Sequence, residues 1–199
     1  MKNKTVYFRE FNENDLSEVV DVYIKVFSAE PWNDKLTSDQ ITSYVNQMTD
    51  LNTFKGYIVR EEGTTNLLGA ALGFIRPWYM GKEYHLDSFY ISNDYQGKGV
   101  GTQFLNFIKE QLKDIDIPTI ILDTDRGYPA EYFYLDNGFE PSDSSIILYG
   151  DTSKWCLKIG YMKLDRLVYP ETYLLNGLLL IFNQHTLLFE AENMINVIK

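Results

Sequence analysis

The chain has 199 residues, 28 acidic and 18 basic, for a net charge of −10. That length suits one domain with a core of its own, and the acidity disfavours a phosphate backbone, pointing away from nucleic acid; it serves solubility alone or attracts a cationic small molecule such as a polyamine or an aminosugar. Cys156 is the only cysteine, and His85 and His185 are the only histidines, which excludes an internal disulfide and a cysteine zinc site and leaves little for a histidine metal site.

Val6–Phe8 reads as a first strand. Leu16, Val19, Val20, Tyr23, Ile24 and Phe27 then recur at helical period, so one face of a helix is buried. Asn12 or Asn14 can cap it by accepting from a free first-turn amide. Glu30-Pro31-Trp32-Asn33-Asp34 breaks the helix. A second follows from about Ser38, with Ile41, Tyr44, Val45 and Met48 on one face. Phe54–Arg60, Leu67–Ile75 and Tyr84–Ile91 read as three strands. The links Glu62-Gly63 and Arg76–Lys82, the latter a loop marked by Pro77 and Gly81, are short enough for an antiparallel meander.

After Ile91 the texture changes. Asn93–Gly101 is glycine-rich and polar. Val100, Phe104, Leu105, Ile108 and Leu112 again have helical spacing. Thr119–Asp123 is a continuous apolar run of the kind found in buried parallel strands. Pro129 suits the first turn of a short helix ending at Asn137, with Gly138 just past its end. Strand, loop, helix, strand in this order gives a parallel pair with a right-handed crossover.

Ser145–Tyr149 and Trp155–Leu164 are candidate closing strands. Leu174–Phe182 and Thr186–Ile198 read as helical or as a hairpin. The apolar run Leu174 to Phe189 is interrupted by Asn176, Gly177, Asn183, Gln184 and His185, which argues against a membrane span. Met1-Lys2-Asn3-Lys4 is not followed by an apolar segment, so no secretory signal is read. The expectation is a cytoplasmic protein with no membrane partner, whose C-terminal extension covers a sheet edge or forms a homodimer contact.

The segment that points to chemistry is Gln96-Gly97-Lys98-Gly99-Val100-Gly101-Thr102. It lies between a predicted strand and a predicted helix. Amides at a helix start lack partners, the helix dipole adds positive potential, and glycine lets a ligand approach the backbone; together these can cradle a diphosphate. It is not a P-loop, because Gly97-Lys98 is followed by glycine rather than serine or threonine. The dinucleotide fingerprint has a different glycine spacing and follows a first strand. Gln96, Gly99 and Gly101 do match Gln/Arg-x-x-Gly-x-Gly/Ala, and Ala130 to Phe139 matches Ala-x-x-Phe-Tyr-x-x-x-Gly-Phe.

With both motifs in order and a strand between them, the chain resembles the GNAT superfamily of N-acetyltransferases over about two-thirds of its length. Glu30-Pro31-Trp32-Asn33 and Asp87 also resemble features of members that include aminoglycoside 6′-acetyltransferases. The resemblance implies an α/β (α+β) fold: a mixed, mostly antiparallel sheet with central splayed parallel strands and flanking helices. Residues 1–165 would form this domain and 166–199 the extension, packed on it or at a dimer interface. It implies acetyl-CoA as co-substrate, no metal, and transfer to a primary amine in a ternary complex.

Carried onto this sequence, the resemblance gives Phe89 and Ile91 backbone contacts to the pantetheine arm, with the Ile91 amide also facing the developing oxyanion. Gln96, Gly97, Lys98, Gly99, Val100, Gly101 and Thr102 would hold the diphosphate. Tyr134 would protonate the leaving thiolate. Many relatives carry a glutamate base where this chain has Ser88; Asp87 is then the first candidate base, with water or Glu83 as alternatives. Gly127 stands where many members have asparagine. Trp32 and Trp78 lie in segments bordering the acceptor groove, where an aromatic floor can hold a cation. Retained acyl-CoA binding without turnover, motivated by Ser88, and a protein or peptide acceptor are the competing readings.

Overall fold

The computed structural model describes residues 5–143, 146–148 and 150, together with the backbone of two short strands near the C-terminus. Residues 1–141 and 142–199 form two compact units. In the first, the elements run β1 (Val6–Glu10), α1 (Leu16–Phe27), α2 (Ser38–Thr49), β2 (Phe54–Glu61), β3 (Leu67–Trp78), β4 (Gly81–Ile91), α3 (Val100–Lys113), β5 (Thr119–Ile121) and α4 (Pro129–Asp136). The five strands form one sheet in the order β1-β2-β3-β4-β5. All neighbours are antiparallel except β4 and β5. This is the mixed, mostly antiparallel α/β architecture that the element pattern implied.

Period-two alternation divides the core into two faces. Tyr57, Val59, Tyr84 and Leu86 pack with Phe104, Ile108 and Leu112 of α3. Ile58, Ala70, Leu72 and Tyr90 pack with Val19, Val26 and Val45 of α1 and α2. The spacing that identified the three amphipathic helices therefore identified both layers.

The helix starts differ in a way that bears on the site. Thr37 accepts from the Gln40 amide while the Gln40 side chain accepts from the Thr37 amide, closing the N-terminus of α2 with a capping box. Asn12 and Asp15 make the same reciprocal pair at a short 3-10 turn, Glu13–Asp15, that leads into α1. Asp15 is buried, and Arg9 and Arg60 both donate to it. Burial alone would raise its pKa; the two guanidiniums outweigh that and lower it. The start of α3 has no side-chain cap at all.

One predicted link is corrected. The sequence suggests a loop over Arg76–Lys82, but β3 runs on to Trp78 and β4 begins at Gly81, so only Tyr79 and Met80 turn the chain. Pairing continues through Arg76↔Glu83, Pro77↔Lys82 and Trp78↔Gly81. β2 pairs with β3 only as far as Phe74, so past that point β3 has a ladder on one side. A proline is tolerated in such an edge because no second ladder needs its missing N–H.

In the second unit, Leu174–Leu175 pairs antiparallel with Leu178–Leu179, forming β6 and β7. The residues between them are Asn176-Gly177, the pair that two-residue hairpin turns favour. The candidate strand Trp155–Leu164, the segment Thr186–Ile198 and the 165/166 boundary lie outside the described residues. So do Ser145 and Tyr149, while Ile146–Leu148 carry no strand assignment.

Candidate functional site

The parallel ladder of β4 and β5 holds for only three pairs, Glu83↔Thr119, Tyr84↔Ile120 and His85↔Ile121. β4 continues six residues further, to Ile91, while β5 ends at Ile121. A cleft of about 200 Å³ lies where the strands part. β4 contributes Asp87, Ser88 and Phe89 to its lining; the segment after β5 contributes Asp123, Thr124 and Asp125; α4 contributes Ala130 and Tyr134. Tyr23, Phe27 and Trp32 close it from α1 and the turn beyond, and Tyr128 from the residue before α4. A larger hollow of about 360 Å³, lined by Glu18, Asp21, Lys25 and Asp94 among others, lies beside α1. It gathers none of the residues singled out in the sequence.

β4 enters the cleft with an irregularity. Leu72 pairs with Ser88 and Gly73 with Leu86, so Asp87 is an extra residue on the β4 side. Such a bulge shifts the strand's alternation by one. Before it, Tyr84 and Leu86 face α3; after it, Phe89 and Ile91 do. Between them Asp87 and Ser88 are both reached by one side chain of α2: the Tyr44 hydroxyl donates to the Asp87 carboxylate and lies 2.8 Å from Ser88 Oγ. Burial first, and the Asp87 carboxylate second, push the Tyr44 phenol far above its ordinary pKa. Tyr23 packs beside Tyr44, ring centroids 5.8 Å apart, and burial raises its phenol too.

Tyr134 sits on the other wall. Its ring is 9% exposed and packs against Phe133, Phe139 and Phe89. No hydrogen-bond partner for its hydroxyl is found among the described residues. Burial raises this phenol too, so it keeps its proton throughout the physiological range.

The glycine loop is built of main chain. Gly97 and Gly99 have φ of 65° and 78°, conformations that favour glycine. A Cβ at Gly97 would meet nothing within 4 Å, and one at Gly99 only the Gln103 amide nitrogen at 3.8 Å. Gly99 is the N-cap of α3, and the first helical bond runs from the Gln103 amide to the Gly99 carbonyl. The amides of Val100, Gly101 and Thr102 therefore precede any helical acceptor. Gly101 answers a different need: a Cβ there would stand 3.2 Å from the Phe133 ring, so its absence lets α4 pack closely on α3.

Two exposed polar side chains of this loop bond back to nearby main chain. The Gln96 amide donates to the Ile91 carbonyl at 2.8 Å, tying the loop to the end of β4. The Lys98 ammonium donates to the Asp94 carbonyl and lies 5.5 Å from the Tyr95 ring centroid. The loop can hold an extended anion such as a diphosphate through its backbone. Among the described residues no group of three or more His, Cys, Asp or Glu side chains is placed to hold a metal ion. No helix among the described residues is long and apolar enough to cross a membrane.

Of the sequence candidates, the structure brings Asp87, Phe89, Tyr134 and Trp32 to one cleft. Trp78 is not among its lining residues; it lies in β3 near the hairpin tip, half exposed, with Arg76 over its ring. Glu83 pairs with Arg76 at 2.7 Å. Gly127, at φ 83°, donates its amide to the Glu131 carboxylate ahead of α4. Sequence reasoning missed Tyr23, Tyr44, Asp123, Asp125 and Tyr128. The two tyrosines were counted as apolar positions of amphipathic helices. A phenol at such a position, opposite a strand carrying Asp and Ser, was the available signal.

The sequence profile described as Acetyltransferase (GNAT) family matches residues 16–139, which is most of the first unit. No curated protein matches the sequence. Among solved structures, aminoglycoside N-acetyltransferase AAC(6')-Iy in complex with CoA superposes with a TM-score of 0.61 at 15% identity, over 76% of this chain and 97% of that one. An aminoglycoside acetyltransferase from an uncultured soil metagenomic sample, in complex with sisomicin, gives 0.58 at 12% identity, over 73% and 95%. A possible acetyltransferase from Clostridium difficile 630 gives 0.63 at 18% identity, over 73% and 97%.

Proposed function

The chain belongs to the acetyltransferase (GNAT) family, and from that premise we propose that it transfers an acetyl group from acetyl-CoA to a primary amine of a cationic small molecule. The observation that carries this reading is the cleft between the diverging strands. Among the described residues it presents Asp87, Asp123 and Asp125, aromatic walls and no basic side chain. Such a lining attracts an ammonium and repels an anionic acceptor.

The residues take complementary roles. The exposed amides at the start of α3 hold the diphosphate of CoA, while the free edge of β4 at Phe89 and Ile91 offers backbone groups to the pantetheine arm. An alkylammonium has a pKa near ~10.4, so it must lose a proton before it can attack. Asp87 accepts that proton, directly or through a water. The neutral amine adds to the thioester carbonyl in the ternary complex; collapse breaks the carbon–sulfur bond, and the nitrogen gives up its second proton to solvent. Tyr134, still protonated, gives its proton to the departing sulfur and recovers one from solvent. The thioester is already activated, so holding both partners in line supplies most of the acceleration.

The test is an acceptor panel with acetyl-CoA: an aminosugar, a polyamine, free amino acids and a lysine peptide, with thiol release and product mass as readouts. The expected product is a singly acetylated cationic small molecule. Acetylation of the peptide alone would move the reading to protein substrates. CoA binding without any acetylated product would leave a binding module, the reading that Ser88 in place of a glutamate base favours.

A further inference from the structure

Resting on the reading of Asp87 as the base, we infer that Ser88 and Tyr44 form a one-way hydrogen-bond relay that holds the Asp87 carboxylate in position, Ser88 donating to Tyr44 and Tyr44 to Asp87.

The direction follows from counting protons. A serine or tyrosine hydroxyl has one proton to donate, and a carboxylate has none. Tyr44 donates to Asp87, which uses its only proton. The 2.8 Å bond between Tyr44 and Ser88 could by geometry run either way; it must then be donated by Ser88. The order is Ser88 to Tyr44 to Asp87. Burial keeps the Tyr44 phenol protonated, so it remains a donor.

Two elements contribute, α2 and β4, and packing backs them: the Tyr44 ring lies against Tyr23 of α1, centroids 5.8 Å apart, and Tyr23 sits edge-on to Tyr90 at 5.3 Å. Ser88 is 8% exposed, on the buried side of the bulge. Asp87, the bulged residue, is exposed and lines the cleft. The relay therefore grips the carboxylate from behind and leaves it facing the acceptor. It also gives Ser88 a task that needs no basicity: it orients the tyrosine that orients the base. Linked hydroxyls polarise one another, so a donor added upstream strengthens the bond downstream. Tyr44 and Ser88 are positioning residues in this scheme.

A relay in series makes a prediction that independent contacts do not. The measurement is the side-chain carboxyl 13C resonance of Asp87 in the full chain, assigned by its loss in Asp87→Asn, with the backbone amide spectrum as a check on folding. Tyr44→Phe should move this resonance most. Ser88→Ala should move it less and in the same direction. In the Tyr44→Phe background, Ser88→Ala should cause no further movement, because the path from Ser88 is already cut. Unchanged resonance in Ser88→Ala, or effects that add in the double variant, would overturn the relay. Kinetics with the acceptor found by the panel give the second readout. Tyr44→Phe should lower kcat about tenfold at constant KM for acetyl-CoA, and the double variant should fall no further. If the resonances follow the series pattern while Asp87→Asn keeps full turnover, the relay stands and Asp87 is not the base. If Asp87→Asn abolishes turnover while the resonances add, the base stands and the relay falls.

Discussion

The two ends of the site are made of different material. The diphosphate loop offers backbone: three amides ahead of the first helical bond, two left-handed glycines with open space beside them, and polar side chains bonded back to nearby main chain. The acceptor end offers side chains, drawn from α1, α2, β4, the segment after β5 and α4. Main chain is the same in every sequence that keeps the turn, so the first end can serve one invariant ligand. Side chains can be exchanged singly, so the second end can be retuned to a new amine without disturbing the first.

That contrast can be broken by experiment. Tyr134→Phe should lower turnover about a hundredfold while leaving CoA affinity within about twofold; a parallel loss of affinity would show that the two ends are not separable. Gly99→Ala should do the reverse. A side chain at φ 78° carries about 1–2 kcal/mol of strain, so CoA should bind roughly tenfold more weakly, by the same factor with every acceptor. A factor that varied with the acceptor would count against a purely main-chain cradle. Trp32→Ala should raise the KM for the acceptor several-fold, about the worth of one exposed cation–aromatic contact, with CoA titrations superimposable on the wild type. The smallest effect is expected at Lys98→Ala, less than about threefold in CoA affinity, because this exposed ammonium is engaged by its own loop. A larger loss would mean that Lys98 swings out to the ligand.

The same contrast explains what could be read from the sequence. Helical spacing from Leu16 to Phe27 and from Val100 to Leu112, and the Gly97-x-Gly99-x-Gly101 loop, are local patterns with local causes, and all reappear in the structure. So do the meander and the parallel crossover. The acceptor end depends on contacts between residues 43 and 44 positions apart, Tyr44 with Asp87 and Ser88, and no local rule joins them. The bulge at Asp87 was equally silent, because alternation on either side of it is regular and only the pairing with β3 reveals the extra residue. The hairpin arm at Trp78 was misread for a related reason. Pro77 and Gly81 are breakers in isolation, yet an edge ladder accommodates both.

The extra residue in β4 also sets a rule for how this chain can vary in length. A pleated strand has a phase, and the phase before Asp87 is opposite to the phase after it. Deleting Asp87 would remove the bulge and join the two phases, leaving Leu86, Phe89 and Ile91 on the α3 side and Tyr90 on the other. The loss of this one residue is therefore expected to preserve the strand's faces and pairing while taking the carboxylate out of the cleft.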